Sequence, residues 1–216
     1  FDYPYIHGKS IMAAGRSFIS VSDEVFEDEG FDFAPYYAAD LIFGEEKTTI
    51  SGADSSRKDF RIYTPGFINA LEKMAEAGVP VFMSGSYTGT DLQMTGDTVT
   101  MARVKKVLHF KHRTDHAVRT GHLYATDMAR PAFTGGYDFS AADGPGIYAA
   151  EAPDAIEPAD KGSLTAFRYS ENNTSAAVIY SGTPRTAVLG FPFETIISTA
   201  DRDEIMRQIL NFLIKK

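Results

Sequence analysis

The sequence predicts an α/β domain with three layers, a doubly wound, mainly parallel sheet covered by helices on both faces. Three observations predict it. At 216 residues the chain fits one domain with insertions, against about 150 residues for a typical domain. Its 44% hydrophobic and 23% charged content is that of an ordinary folded core, which excludes a disordered, collagen-like or coiled-coil architecture. Between residues 38 and 108 short apolar runs alternate with helical-period segments, and parallel strands require crossovers of that kind.

The elements follow in order. Ile11-Met12-Ala13-Ala14-Gly15 and Ser17-Phe18-Ile19-Ser20-Val21 read as a strand followed by an irregular turn, and an acidic segment covers 23–32. Residues 38–44 read as a buried strand stopped by Gly44, and the polar stretch 45–59 as a surface loop. Thr64-Pro65 supplies an N-cap and a first-turn proline. Phe67, Ile68, Leu71, Met74 and Ala75 then recur at helical spacing until Gly78. Residues 79–84 predict a buried strand, 85–89 a tight turn, and 100–108 a second helix.

Beyond Phe110 the alternation lapses. His112, Thr114, His116 and Val118 fall at period two, predicting an extended segment over 111–124. Residues 127–162 hold five Gly and four Pro with seven acidic against two basic residues, which predicts a long excursion or rim. Residues 166–169 and 176–180 flank a turn at 171–174 and read as a hairpin. A last strand over 186–191 and an amphipathic helix over 201–214 close the chain.

Charge and composition exclude several functions. Twenty-one basic against 29 acidic residues give −8, so nothing global attracts a nucleic-acid backbone. Without cysteine there is no disulfide, thiolate metal site or thiol nucleophile. No apolar run is long enough to span a membrane. The opening, aromatic-rich and without Met, reads as part of a longer precursor in which targeting information lies upstream.

Gly85-Ser86-Tyr87-Thr88-Gly89 has glycines four apart around a central side chain, between a predicted strand and a helix-forming region. That is the spacing of a nucleophile elbow, in which a strained central residue sits at the strand end beside backbone N–H groups able to bind an oxyanion.

Three stretches now carry a resemblance: Tyr5-Ile6-His7-Gly8-Lys9-Ser10 with Ala14-Gly15-Arg16-Ser17; Val81-Phe82-Met83-Ser84-Gly85-Ser86-Tyr87; and Leu189-Gly190-Phe191-Pro192-Phe193-Glu194-Thr195-Ile196 with the terminal helix. The chain resembles flavodoxin-like, class I glutamine amidotransferase-like domains, of the branch found in secreted bacterial proteins of xanthan-lyase type. The resemblance implies a site at the C-terminal ends of the strands and a location outside the cytoplasm. It also implies a Cys at the elbow centre and a His-Pro-Glu group after a late strand. Here Tyr87 replaces the Cys, Phe191-Pro192-Phe193-Glu194 lacks the His, and Glu194 alone remains.

The expected protein is therefore a non-catalytic or ligand-binding accessory domain of an exported, polysaccharide-processing protein. Carbohydrate and the precursor's other domains are its expected partners. The alternative is a carbohydrate lyase or hydrolase with Tyr87 as base. Tyrosine ionises near pH ~10, so this needs nearby cations, for which Arg16, Arg113, Arg119 and His116 are candidates. Expected binding residues are Gly44, Glu45, Ser86, Thr88, Arg16 and His116, and Tyr36, Tyr37, Tyr137 and Tyr148 are candidates for stacking on sugars.

His109, His112, His116 and His122 invite a metal reading. Strand residues four apart, however, lie ~13 Å from each other, too far to share an ion, and none is expected. Gly8-Lys9-Ser10 lacks the upstream strand and preceding Gly of a phosphate loop, and no flavin loop is legible, so no cofactor is expected.

Overall fold

The computed structural model describes residues 3–54, 56, 58–142 and 147–215. Along the chain run α1 (Tyr3–Ala13), α2 (Asp23–Phe26), β1 (Ala39–Gly44), β2 (Thr49–Ile50), β3 (Lys58–Phe60), α3 (Pro65–Glu76), β4 (Val81–Gly85), α4 (Thr88–Thr95) and α5 (Thr98–Leu108). There follow β5 (Phe110–Thr114), β6 (His122–Ala125), β7 (Gly136–Asp138), β8 (Ala155–Pro158), β9 (Ser163–Tyr169), β10 (Ser175–Tyr180), β11 (Thr186–Leu189) and α6 (Thr199–Leu213).

The main sheet has seven strands in the order β1-β4-β11-β10-β9-β6-β7. Only β1–β4 and β4–β11 pair in parallel, whereas β11–β10, β10–β9, β9–β6 and β6–β7 are antiparallel. This corrects the expectation of a doubly wound, mainly parallel, flavodoxin-like or amidotransferase-like sheet: the sheet is mixed. The connections explain it. Parallel neighbours need crossovers of roughly a dozen residues or more, and α3 provides one between β1 and β4. The turns at 170–174 and 181–185 are too short for anything but hairpins. Two small antiparallel ribbons, β2–β3 and β5–β8, complete the strands, the first within the stretch predicted as loop.

Helices are fixed by local chemistry and by one buried face. Thr64 Oγ1 accepts the Phe67 N–H at 2.9 Å with Pro65 in the first turn, so α3 starts where its cap predicts, and it buries Phe67, Ile68, Leu71 and Met74. Asp97 and Ser198 cap α5 and α6 in the same way. Alternation along β4 sends Phe82 to the face covered by α6, beside Ile205 and Met206. Val81 and Met83 go to the opposite face with α3 and α5. Burying each such large apolar side chain stabilises the fold by ~1.5–3 kcal/mol.

At the N-terminus the structure replaces the predicted strand with α1. Pro4 occupies its first turn, and Ser10 Oγ donates to Asp203 of α6 at 2.8 Å. The chain then turns back, and Phe18 lies over Gly8 so closely that a Cβ there would come within 2.4 Å of the ring. The predicted extended segment 111–124 is also divided. β5 and β6 are separated by a turn in which His116 takes a left-handed φ of 43°.

Candidate functional site

β4 ends at Gly85 and α4 begins at Thr88, with only Ser86 and Tyr87 between them, so Tyr87 stands in a strand-to-helix bend. Its φ of −104° and ψ of 14° are free of the left-handed strain an elbow centre would carry. The bend is tied to the end of β1, because Ser86 N–H donates to Gly44 O at 2.9 Å. Gly44 has φ +52°, and a Cβ there would meet the Tyr3 ring at 2.8 Å, so glycine is required.

Around the bend most polar groups are engaged. Ser86 Oγ donates to Glu45 Oε1 at 2.6 Å, and Glu151 N–H reaches the same oxygen at 3.3 Å. Lys47 Nζ donates to Tyr87 Oη at 3.3 Å and lies 4.5 Å from the ring centroid. Asp91 accepts the N–H and hydroxyl of Thr48 at 2.7 and 3.0 Å. Asp154 closes the N-terminal turn of α4, accepting Gly89 N–H at 2.6 Å, Thr90 N–H at 2.8 Å and the Thr90 hydroxyl at 2.5 Å. A carboxyl group there satisfies orphan helix donors and meets the positive end of the helix dipole. Thr88 O accepts the Tyr63 hydroxyl at 2.7 Å.

A second cluster joins α1 to the sheet. His7 is 1% exposed; its Nδ1–H donates to Asp40 Oδ2 at 2.8 Å and its Nε2–H to Glu194 Oε2 at 3.2 Å. The other Glu194 oxygen accepts the Tyr148 hydroxyl at 2.6 Å. Burial alone would lower the His7 pKa, but the Asp40 and Glu194 carboxyls raise it to about 9, so the ring is an imidazolium at neutral pH. Burial raises Glu45 to about 7 against the hydrogen bonds from Ser86 and Glu151, and raises Asp154 to about 7 against those from Thr90 and Gly89. Tyr148 is pushed far up by burial and by Glu194.

Of the residues singled out from sequence, Gly44, Glu45, Ser86, Tyr87, Thr88 and Glu194 gather where β1, β4 and β11 end. Arg16 and His116 lie elsewhere. Arg16 follows α1 and lines a cavity beside β1, while His116 sits in the turn after β5, exposed and paired with Asp115 at 3.4 Å. Arg113 pairs with Glu157 at 2.7 Å, and Glu171 accepts the backbone N–H of Arg119. The cation at Tyr87 is instead Lys47, which sequence reading missed along with His7 as a buried histidine paired with carboxylates, Asp40 and Asp154. His7 lies within one of the family-like motifs, which was its only signal. The others come from positions distant in sequence.

The candidate histidines have separate neighbours: His109 meets Asp160 at 2.6 Å, His112 Thr90 at 3.2 Å and His122 Asp138 at 2.5 Å. Among the described residues no cluster of His, Asp and Glu is arranged to hold a metal ion, and no helix is long and apolar enough to cross a membrane. The four tyrosines proposed as a sugar platform do not converge. Tyr137 is buried against Phe167 and Gln208, Tyr148 is bonded to Glu194, and Tyr36 and Tyr37 border the cavity.

That cavity has a volume of about 930 Å³ and lies along β1. Its walls include His7, Phe18, Asp23, Tyr37, Asp40 and Arg61. Among the described residues three buried side-chain oxygens lack a hydrogen-bond partner: Asp40 Oδ1, which belongs to a cavity-lining residue, Glu45 Oε2 and Ser84 Oγ.

No family model matches the chain, and no curated protein matches it. Among solved structures, the exo-beta-1,4-mannosidase Op5Man5 from Opitutaceae bacterium strain TAV5 is similar over 68% of this chain and 22% of its own, at 15% identity and a TM-score of 0.38. The chain thus spans under a quarter of that protein's length.

Proposed function

We propose that this chain is a ligand-binding accessory domain with no turnover of its own, and that its ligand enters the cavity beside β1. One observation carries the reading. At the strand ends the side chains that could attack or relay a proton are buried and paired: Ser86 and Thr88 are 0% exposed, Glu194 1% and Tyr87 8%. Ser86 faces Glu45, Tyr87 faces Lys47, and the His7 ring is held by two carboxyls rather than by a nucleophile. A catalytic set acts as a unit, with nucleophile, base and orienting group in sequence, and the hydrogen bonds of Ser86 and Tyr87 go to Glu45 and Lys47 rather than to a histidine. The wider setting, an exported polysaccharide-processing protein, rests on the sequence resemblance.

A second reading is favoured by Lys47. An ammonium 3.3 Å from Tyr87 Oη is the cation that a tyrosine base would need for β-elimination on a uronate-type sugar. Incubation of the domain with glutamine, p-nitrophenyl acetate and xanthan oligosaccharides separates the two. The expected result is no product above buffer. Turnover that disappears in Tyr87→Phe would overturn the binding-domain reading and establish the enzyme.

A further inference from the structure

We infer that the open edge of β1 is a docking site for an extended basic peptide, which adds as a further strand and places a cationic side chain on Asp40. The inference rests on the binding-domain reading and names the occupant of its cavity.

β1 is the first strand of the seven, and its outer edge pairs with no strand among the described residues. Which backbone groups face outward follows from the register. Ala39 N–H donates to Pro80 O at 2.9 Å, and Ala39 and Leu41 stand opposite Val81 and Met83. Strand alternation therefore turns the N–H and C=O groups of Ala39 and Leu41 toward β4, and those of Asp40 and Ile42 toward the free side.

An unpaired edge is a template for strand addition, in which main-chain hydrogen bonds supply affinity and side-chain contacts supply selectivity. Here the edge is sheltered as well as unpaired. Four of the six β1 residues are half-buried and two are buried, and the cavity of about 930 Å³ runs beside them. Six residues of strand span ~20 Å, a length that supports a short peptide.

Charge selects the occupant. Asp40 Oδ2 is taken by His7, while Oδ1 is buried without a partner. A buried acceptor in that state favours a donor, and a carboxyl group favours a charged one. Asp23, Glu27 and Glu46 line the same cavity, against Arg16, Arg61 and the already paired His7, and the whole chain carries −8. Lysine or arginine side chains on an incoming strand meet both conditions.

The test uses the intact domain, labelled with nitrogen-15, and a capped peptide of alternating Val and Lys. Its counterpart of alternating Val and Glu is the control. Amide exchange at Asp40 and Ile42 should slow by about tenfold or more on adding the Lys peptide, as for any amide newly held in a strand ladder, while Leu41, bonded to β4, keeps its rate. The Ile42→Pro variant removes one outward donor at an edge position where proline is tolerated, and it should weaken binding by about tenfold.

The inference falls if saturating Lys peptide leaves both amides unprotected, or if the Glu peptide protects them equally. It also falls if both amides are already protected in the free domain by its own segment 16–22. Protection by xanthan oligosaccharide without protection by peptide would overturn the peptide while leaving the binding domain standing. Turnover lost in Tyr87→Phe would remove the binding-domain reading whatever the peptide does.

Discussion

The bend after β4 is tied to the end of β1 by the Ser86–Gly44 hydrogen bond, yet the bend and the outer edge of β1 differ in how their polar groups are spent. At the bend, Asp154 alone accepts three donors, and Ser86 and Tyr87 each have a partner. At the edge, two residues' worth of backbone groups and one carboxyl oxygen have none among the described residues. Buried polar groups are nearly always hydrogen-bonded. The bend is therefore largely closed by its own bonds, Glu45 Oε2 and Ser84 Oγ being its unpartnered oxygens among the described residues, whereas in our proposal the edge is completed by a second molecule. The residues that look most catalytic in the sequence are those the fold uses to hold itself together.

The contrast is broken most directly at Asp154. Replacing it with Ala strands the Gly89 and Thr90 N–H groups inside the protein, and should cost about 4 kcal/mol in a urea titration. A cost below about 1 kcal/mol would show that the bend is not closed by these bonds.

A smaller effect follows from pH. The folded His7 pKa of about 9 exceeds the ordinary 6.5, so its contribution is complete below pH 6.5 and is lost as pH rises through 9. Glu45 and Asp154, both raised to about 7, act in the same direction at lower pH, with stability declining from their ordinary ionisation range up to 7. For His7 the loss is on the order of 3 kcal/mol. It should appear as a fall in Tm of roughly 5–10 °C across pH 6.5–9.5 in a calorimetric scan. A Tm that rises over that window would contradict the imidazolium assignment.

The smallest effect sharpens the other half of the comparison. Tyr37 is 75% exposed at the cavity mouth, and Tyr37→Ala should leave the urea midpoint within about 0.5 kcal/mol of the parent.

Elements whose causes are local could be read from the sequence. Thr64-Pro65 starts α3, a turn-rich stretch joins β9 to β10, and apolar runs mark β1, β4 and β11. α1 could not be read in this way. It carries Gly8 and a weakly patterned surface, and it is held by Ser10 on Asp203 and His7 on Asp40 and Glu194, partners 193, 33 and 187 residues away. The mixed sheet was missed for a related reason: the alternation that predicts parallel strands extends only to Phe110, and the later short turns bring in antiparallel neighbours. The site divides along the same line. Gly85-Ser86-Tyr87 is a contiguous signal, whereas Lys47 and Asp154 reach it only through folding, and nothing local marks them.

The ring of Phe18 resting over Gly8 has a mechanical consequence. One wall of the cavity is carried by residues 16–22, and that wall bears on α1 through a contact that exists because position 8 lacks a methyl group. Glycine inside a helix costs about 1 kcal/mol relative to alanine, and what it gains here is a seat for the ring. Any larger side chain at position 8 would displace the Phe18 ring from its seat, so the place of this cavity-lining side chain is set by an atom that is not there.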